Sequence, residues 1–341
     1  MTPLLTLWLA GQWIDILPKE GIPFETVDIE GLERSFSPAN IVRLGRAMHG
    51  LAEAAAIVRR FRPDVVIGTG GYVCGPILMA ASLAHVPTLI QEQNVVPGVT
   101  NKILSKFVTK IAVGTEEALC RFPRKKAVFT GNPIRREVMT ASREKALEKF
   151  GFDAAKRTVL VSGGSRGARS IDRAMVGVLQ AAQEYPEVQF LLVTGKGEYE
   201  DVMRRLEEAG VDLAAAPHIK VEPYLYNMPE AMAMADVAVF RAGATGLAEL
   251  AARGVPAILI PYPYAAENHQ EKNARAMETA GAAEVILNRS LDGTVLAAAL
   301  DRLLAEDARR DAMAAAMKRL GKPEAAAEIA ALALRIGKRE G

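Results

Sequence analysis

The run Val159-Leu160-Val161-Ser162-Gly163-Gly164-Ser165-Arg166-Gly167-Ala168-Arg169 decides the fold. Its first residues, extended back to Thr158, are apolar at nearly every position, as in a parallel strand covered on both faces. A glycine turn follows, and an amphipathic stretch over 169–184 predicts a helix. Glycines let the main chain turn sharply and approach a ligand. Backbone N–H groups at the start of the helix, together with its positive dipole end, suit a phosphate. Taken alone, the run leaves two readings open, a phosphate-gripping loop and a plain turn.

Working outward, the same alternation recurs. Residues 64–68, 87–91, 110–113, 158–161, 189–193, 238–240 and 256–260 read as buried strands, and 41–61, 169–184, 198–209 and 268–280 as amphipathic helices. That order predicts a doubly wound α/β fold. The pattern starts twice, with a break around Gly131-Asn132-Pro133. We therefore expect two Rossmann-like domains facing a cleft, residues 1–134 and 135–321, with an Ala-rich C-terminal helix within 322–341 packing back on the first. The apolar opening Met1–Ala10 has no preceding Lys or Arg, which favours a buried strand or helix start over a signal peptide.

The totals suit a two-domain globular chain. There are 341 residues, 50% of them hydrophobic and 24% charged. A net charge of +2 and 6% aromatic residues give no basic field or stacking surface for nucleic acid. Two cysteines, Cys74 and Cys120, form neither a disulfide framework nor a zinc cluster, and a reducing, cytoplasmic setting is expected. No run reaches the roughly 20 apolar residues of a membrane-spanning helix.

A second glycine loop, Phe240-Arg241-Ala242-Gly243-Ala244-Thr245-Gly246-Leu247-Ala248-Glu249, also follows a strand and opens a helix. Glu249 lies one turn beyond Thr245. A carboxylate there can accept both hydroxyls of a ribose or simply complement the helix dipole, and the residues leave both readings open. A third loop, Gly68-Thr69-Gly70-Gly71-Tyr72-Val73-Cys74-Gly75-Pro76, offers free amides in the first domain. Two such loops in different domains suggest two phosphorylated ligands. No carboxylates stand at Asp-x-Asp spacing, so neither a catalytic metal nor another cofactor is expected.

Three neighbouring runs sharpen this: Gln91-Glu92-Gln93-Asn94, Gly131-Asn132-Pro133-Ile134-Arg135, and Pro261 to Ala274, which contains His269-Gln270-Glu271-Lys272-Asn273. In this order the set resembles the MurG family, UDP-N-acetylglucosamine-dependent N-acetylglucosaminyltransferases of bacterial cell-wall synthesis, from about Pro18 to the end. The resemblance implies a GT-B fold and inverting transfer to an undecaprenyl-pyrophosphoryl muramoyl-pentapeptide. Carried over by motif, Arg135 and the Leu225 backbone lie by the uracil and Glu249 holds the ribose. Ser165 and the Ala244-Thr245-Gly246 loop, followed by Leu247 and Ala248, face the diphosphate. Gln270 and Asn94 bind sugar hydroxyls with Asn273 nearby, and Gly70, Gly71 and Tyr72 face the acceptor pyrophosphate.

The chain departs from the family in places. The family's opening loop Gly-Gly-Thr-Gly-Gly-His, whose His is the favoured base, is absent. His49, His85, His218 and His269 sit in no such loop, which leaves Glu92 as the fallback base. A chain without that βα unit is expected to be poorly active, through exposed sheet edges and a core gap. Gln91 stands where the family has His, and Gly246 where it commonly has Thr.

The implied partners are the UDP-sugar, the acceptor lipid, other cell-wall synthesis proteins and an anionic membrane surface at the cytoplasmic face. For the surface, Ile41–Met48, Arg59-Arg60-Phe61-Arg62, Arg121, Arg124, Lys125 and Lys126 mix apolar and basic groups. A solvated helix rim explains the same residues equally well. Two rival functions remain at this point: another GT-B UDP-sugar transferase or an epimerase, and a UDP-sugar binder without turnover.

Overall fold

The computed structural model describes residues 6–8, 24–26, 39–71 and 74–338, with side chains from residue 48 onward. Two compact units emerge. Unit 1 comprises Met1–Gln93, Pro97–Thr130 and Ala327–Gly341, and unit 2 Asn94–Val96 and Gly131–Ala326.

Unit 2 is built on a six-stranded parallel sheet. Its strands are β7 (Arg157–Ser162), β8 (Val188–Val193), β9 (Ile219–Glu222), β10 (Val237–Phe240), β11 (Ala257–Leu259) and β12 (Ala283–Val285), in the order β12-β11-β10-β7-β8-β9. That is the doubly wound order, with its switch point between β7 and β10. Side chains alternate across the sheet. Leu160, Leu191, Ala238, Phe240, Ala257 and Leu259 enter one core, and Val159, Val161, Phe190, Leu192, Val237, Val239 and Ile258 the other. Helices α5 (Arg143–Phe150), α8 (Met228–Met234), α9 (Ala244–Arg253), α10 (His269–Thr279) and α12 (Asp307–Leu320) cover the first face. Helices α6 (Arg169–Ala182), α7 (Tyr199–Glu208) and α11 (Gly293–Ala305) cover the second. Burial on both faces is why the inner strands β7, β8, β10 and β11 are largely apolar.

Unit 1 carries a four-stranded parallel sheet, β3 (Val66–Gly68), β4 (Thr88–Glu92), β5 (Lys110–Val113) and β6 (Ala127–Phe129), paired in chain order. Helices α2 (Cys74–Leu83) and α3 (Val99–Leu104) bury Cys74, Leu78 and Leu104 against Ile90, Ile111 and Val113. On the opposite face Leu89 and Ala112 meet Ile329, Leu332 and Ala333 of the C-terminal helix α13 (Ala325–Gly337). Helix α1 (Ala39–Phe61) packs on α2 through Ala54 and Val58. A separate parallel pair joins β1 (Thr6–Trp8) to β2 (Phe24–Thr26), so the opening run does contain a strand. The rest of that run lies outside the described residues, as do Tyr72 and the side chains of Ile41–Ala47. The remaining helix, α4 (Arg136–Thr140), follows the Gly131-Asn132-Pro133 turn.

Two features of the β7–α6 connection have measurable consequences. Gly167 has φ +76°, and a Cβ there would lie 1.9 Å from the Thr194 carbonyl oxygen, whereas at Gly164 (φ +87°) nothing lies within 4 Å. In the first turn of α6, the Asp172 side chain is buried and neither carboxylate oxygen completes a hydrogen bond. Burial pushes its pKa up to about 7, the Ala168 amide and Arg241 pull it back, and Glu198 adds to the rise.

In urea denaturation, Gly167→Ala should cost more than about 2 kcal/mol and Gly164→Ala about 1 kcal/mol. Equal costs would mean that the Thr194 contact does not constrain the loop. For Asp172 the folded-state pKa lies above the unfolded value of about 3.9. The group therefore costs no stability at low pH. The cost grows as pH rises through about 4 to 7, and levels off above that at about 4 kcal/mol. Replacing Asp172 by Asn should remove that slope from the stability-versus-pH curve; parallel curves for the two proteins would refute the assignment.

Candidate functional site

Parallel register places the loops of unit 2 side by side. Ser162, the last residue of β7, pairs with Phe240, the last of β10 and also with Val193 of β8; Phe240 pairs with Leu259 of β11, and Val193 with Glu222 of β9. The loops that leave these strands at residues 163–168, 194–198, 223–227, 241–243 and 260–268 therefore share the carboxyl edge of the sheet. In doubly wound sheets this edge, at the switch point, is where ligands bind.

Two helices begin there. The N-caps of α6 (Ala168) and α9 (Gly243) make no side-chain hydrogen bond to their first-turn amides. Those amides, at the positive helix ends, are left for an anion. Elsewhere, α5 and α11 are capped by Ser142 and Asp292, while α7, α8, α10 and α12 likewise have no side-chain cap. The first loop is compact because it lacks side chains: a Cβ on Gly163 would lie 2.3 Å from the Ala168 nitrogen. Ser165 is exposed on that loop, as is Thr245 at the start of α9.

Glu249 lies in the second turn of α9 and is 3% exposed. Its Oε1 accepts from Arg135 Nε at 2.9 Å and its Oε2 from Arg135 Nη2 at 3.2 Å. A buried carboxylate needs such a partner. Two residues expected at opposite ends of a nucleoside are thus in direct contact.

Asn94 and Asn273 also meet. The Asn273 side chain is buried; its Nδ2 donates to Asn94 Oδ1 at 3.1 Å and to the Ala242 carbonyl at 3.3 Å, while its Oδ1 accepts from Val95 N at 3.0 Å. Gln270 Oε1 accepts from Tyr262 N at 2.9 Å, tying the 261–268 loop to α10. In that loop Glu267 and Asn268 adopt positive φ (54° and 53°), which side-chain-bearing residues seldom do. Leu225 is half-buried beside the edge-to-face pair Tyr224–Tyr226.

One organiser escaped the sequence reading. Arg241 donates through Nη1 to the carbonyls of Ile260 and Pro261 and to Asn288 Oδ1, and through Nη2 to Ser170 Oγ. A single guanidinium joins the starts of α6 and α9 to the loop after β11. Its place directly before Ala242-Gly243 was visible in the sequence, but nothing in the spacing says where five donors will point.

In unit 1, Gly70 and Gly71 have φ of +98° and +76°. Their loop is held by Gln93 Nε2, which donates to the Thr69 carbonyl at 3.2 Å. Asn101 Nδ2 donates to Glu92 Oε2 at 2.7 Å, and both residues are 3% exposed. The same Nδ2 lies 3.9 Å from where a Cβ on Gly70 would stand. Cys74, whose Sγ donates to the Gly71 carbonyl, is buried, and burial pushes its thiol up to about 11, which makes it a packing group and not a nucleophile. Among the described residues, no group of three or more His, Cys, Asp or Glu side chains could hold a metal ion.

Comparison with known proteins accords with this geometry. Residues 158–329 match the glycosyltransferase family 28 C-terminal domain, and residues 11–113 the glycosyltransferase family 28 N-terminal domain. The chain is 46% identical over 320 residues (94% of its length, 86% of the relative's) to the UDP-N-acetylglucosamine--N-acetylmuramyl-(pentapeptide) pyrophosphoryl-undecaprenol N-acetylglucosamine transferase of Desulforamulus reducens. It is also 46% identical over 328 residues (96% and 89%) to the protein of the same name from Listeria welshimeri. Among solved structures, MurG of Acinetobacter baumannii matches with a TM-score of 0.76 at 24% identity, covering 96% of this chain and 90% of that one. The UDP-GlcNAc 2-epimerase of Neisseria meningitidis, bound to UDP-GlcNAc, matches with a TM-score of 0.68 at 14% identity over 98% and 91%. These two likenesses establish the α/β GT-B fold. With nearly half its residues identical to those curated transferases over almost its whole length, and with both family 28 domains present, the chain belongs to glycosyltransferase family 28 and, within it, to the MurG family.

Proposed function

We propose that this chain transfers N-acetylglucosamine from UDP-N-acetylglucosamine to undecaprenyl-pyrophosphoryl-N-acetylmuramoyl pentapeptide, the step from lipid I to lipid II in peptidoglycan synthesis. One observation carries the reading from the structural side: two uncapped helix starts and the buried Glu249 share one sheet edge of unit 2. The amides of α6 and α9 suit a diphosphate, and Glu249 suits the vicinal hydroxyls of a ribose. The names of the relatives supply the sugar and the acceptor.

The chemistry is a single displacement. A muramoyl hydroxyl oxygen forms a bond to the anomeric carbon, the bond from that carbon to the diphosphate breaks, and UDP leaves with the electron pair, inverting α to β. Charge accumulates on the leaving diphosphate, where helix N-termini stabilise it. The hydroxyl proton needs an acceptor. Glu92, oriented by Asn101, takes that role in this reading, and the Gly70-Gly71 amides bind the acceptor pyrophosphate. Gln270, Asn94 and Asn273 hold the sugar hydroxyls.

No described helix is long and apolar enough to cross a membrane. The acceptor lipid places the enzyme at the cytoplasmic membrane face. Exposed groups on unit 1 support that placement. Val99, Ile103 and Phe107, 47%, 54% and 50% exposed, recur every four residues beside exposed Lys102 and Lys106. Arg59, Arg60, Arg62, Arg121, Arg124 and Lys125 are exposed as well, whereas Lys126 is half-buried and bonds the Ser105 and Lys106 carbonyls. Apolar side chains rimmed by basic ones suit an anionic bilayer.

Assayed with the lipid-linked acceptor, the chain should use UDP-N-acetylglucosamine in preference to UDP-galactose. Glu249→Ala should raise the donor KM by about 10- to 100-fold with little change in kcat, as expected for lost uniform binding. Glu92→Gln should lower kcat by about 100-fold or more. Preference for UDP-galactose, or donor binding without transfer, would favour the rival readings. In flotation assays the protein should rise with vesicles containing phosphatidylglycerol and much less with phosphatidylcholine alone, and added salt should weaken binding. Indifference to lipid charge would remove the docking face.

A further inference from the structure

We infer that Arg135 acts on the nucleotide through Glu249, as the residue that holds the ribose-reading carboxylate in a fixed plane, and not as a contact to the base. The inference rests on the donor site proposed above.

The contact is side-on and bidentate, one donor to each carboxylate oxygen, at 2.9 and 3.2 Å. Its partners are unequal: the Arg135 side chain is 49% exposed and that of Glu249 4%. The carboxylate is the member that needs the bond, because an unpaired charge at that depth is costly. A planar guanidinium fork fixes the plane of the carboxylate, which a lysine cannot do.

An ionised carboxylate offers about four lone-pair positions, two on each oxygen. Arg135 takes one on each oxygen and leaves one on each. A pentose hydroxyl can donate to a remaining position while the ion pair stays closed. The backbone supports a fixed role for the arginine. Arg135 is the extended residue (φ −69°, ψ 139°) that precedes α4. It follows the turn at Gly131, whose positive φ (+82°) lets the chain pass close to Lys322 and Ala325.

The test compares UDP with 2′,3′-dideoxyuridine diphosphate by calorimetry, on the parent protein, Arg135→Ala, Arg135→Lys, Glu249→Ala and the Arg135→Ala/Glu249→Ala double variant. Arg135→Ala should weaken UDP at least tenfold yet leave the dideoxy ligand within about twofold, and retained dideoxy binding also shows that the site is folded. Arg135→Lys should fall between the parent and Arg135→Ala. The double variant should bind UDP no more weakly than Glu249→Ala alone, since one interaction is removed either way. Equal losses for both ligands in Arg135→Ala and Arg135→Lys would overturn the inference and return Arg135 to the base or the phosphates. If the parent protein itself failed to distinguish UDP from the dideoxy ligand, the ribose reading of Glu249 would fall first, and this inference with it.

Discussion

Parallel pairing of β7 with β10, in register from Val159 to Ser162 against Val237 to Phe240, is the constraint on which the donor half depends. These strands are neighbours in the sheet but far apart in the chain, because β8 and β9 extend the sheet on one side and β11 and β12 on the other. The chain therefore leaves the two central strands in opposite directions, and helices α6 and α9 start on opposite faces of the sheet. A crevice between their first turns follows from that topology. The glycines at 163 and 167 matter because they let the main chain fold into it: one closes against the start of α6 and the other against the Thr194 carbonyl at the end of β8. Arg241 then ties the edge together with donors spread over three connections.

Much of this was legible in the sequence, and the part that was not has a common cause. Strands buried on both faces announce themselves as apolar runs, so β4, β5, β7, β8, β10 and β11 fall within a residue or two of expectation. Helices with one buried face show a helical period, and α1, α6, α7 and α10 do likewise. The strands that went unread, β6, β9 and β12, stand at sheet edges. Their residues are largely half-buried, as in Lys220-Val221-Glu222 and Glu284-Val285, and so carry no continuous apolar signature. Short glycine loops and Glu249 could be found because they sit at fixed offsets from strand ends. The partners of those groups could not: Arg135 and Glu249 are 114 residues apart in sequence. Nor does any local pattern foretell that Asn101 will serve Glu92 or that Asp172 will be left without a bond.

Those three carboxylates show how much the neighbourhood decides. Glu92, Asp172 and Glu249 are all buried to within a few per cent. Glu249 receives a guanidinium fork, which fixes its plane. Glu92 receives the Asn101 side-chain amide at 2.7 Å, which orients it. Asp172 receives no such partner, and burial raises its affinity for a proton.

Division of labour between the units follows from the same reasoning. In the function proposed above, a nucleotide needs preformed donors and acceptors, and unit 2 has helix starts and an ion pair on a sheet with a core on each face. Accepting a lipid-linked substrate requires exposed apolar and basic surface, which would be a liability around a nucleotide pocket. Unit 1 carries that surface on α3 and the adjoining turn, away from the Leu89 and Ala112 face that α13 seals. Its sheet is smaller, and one face is closed by a helix that returns from the far end of the chain, so the unit's stability rests on contacts of long sequence separation.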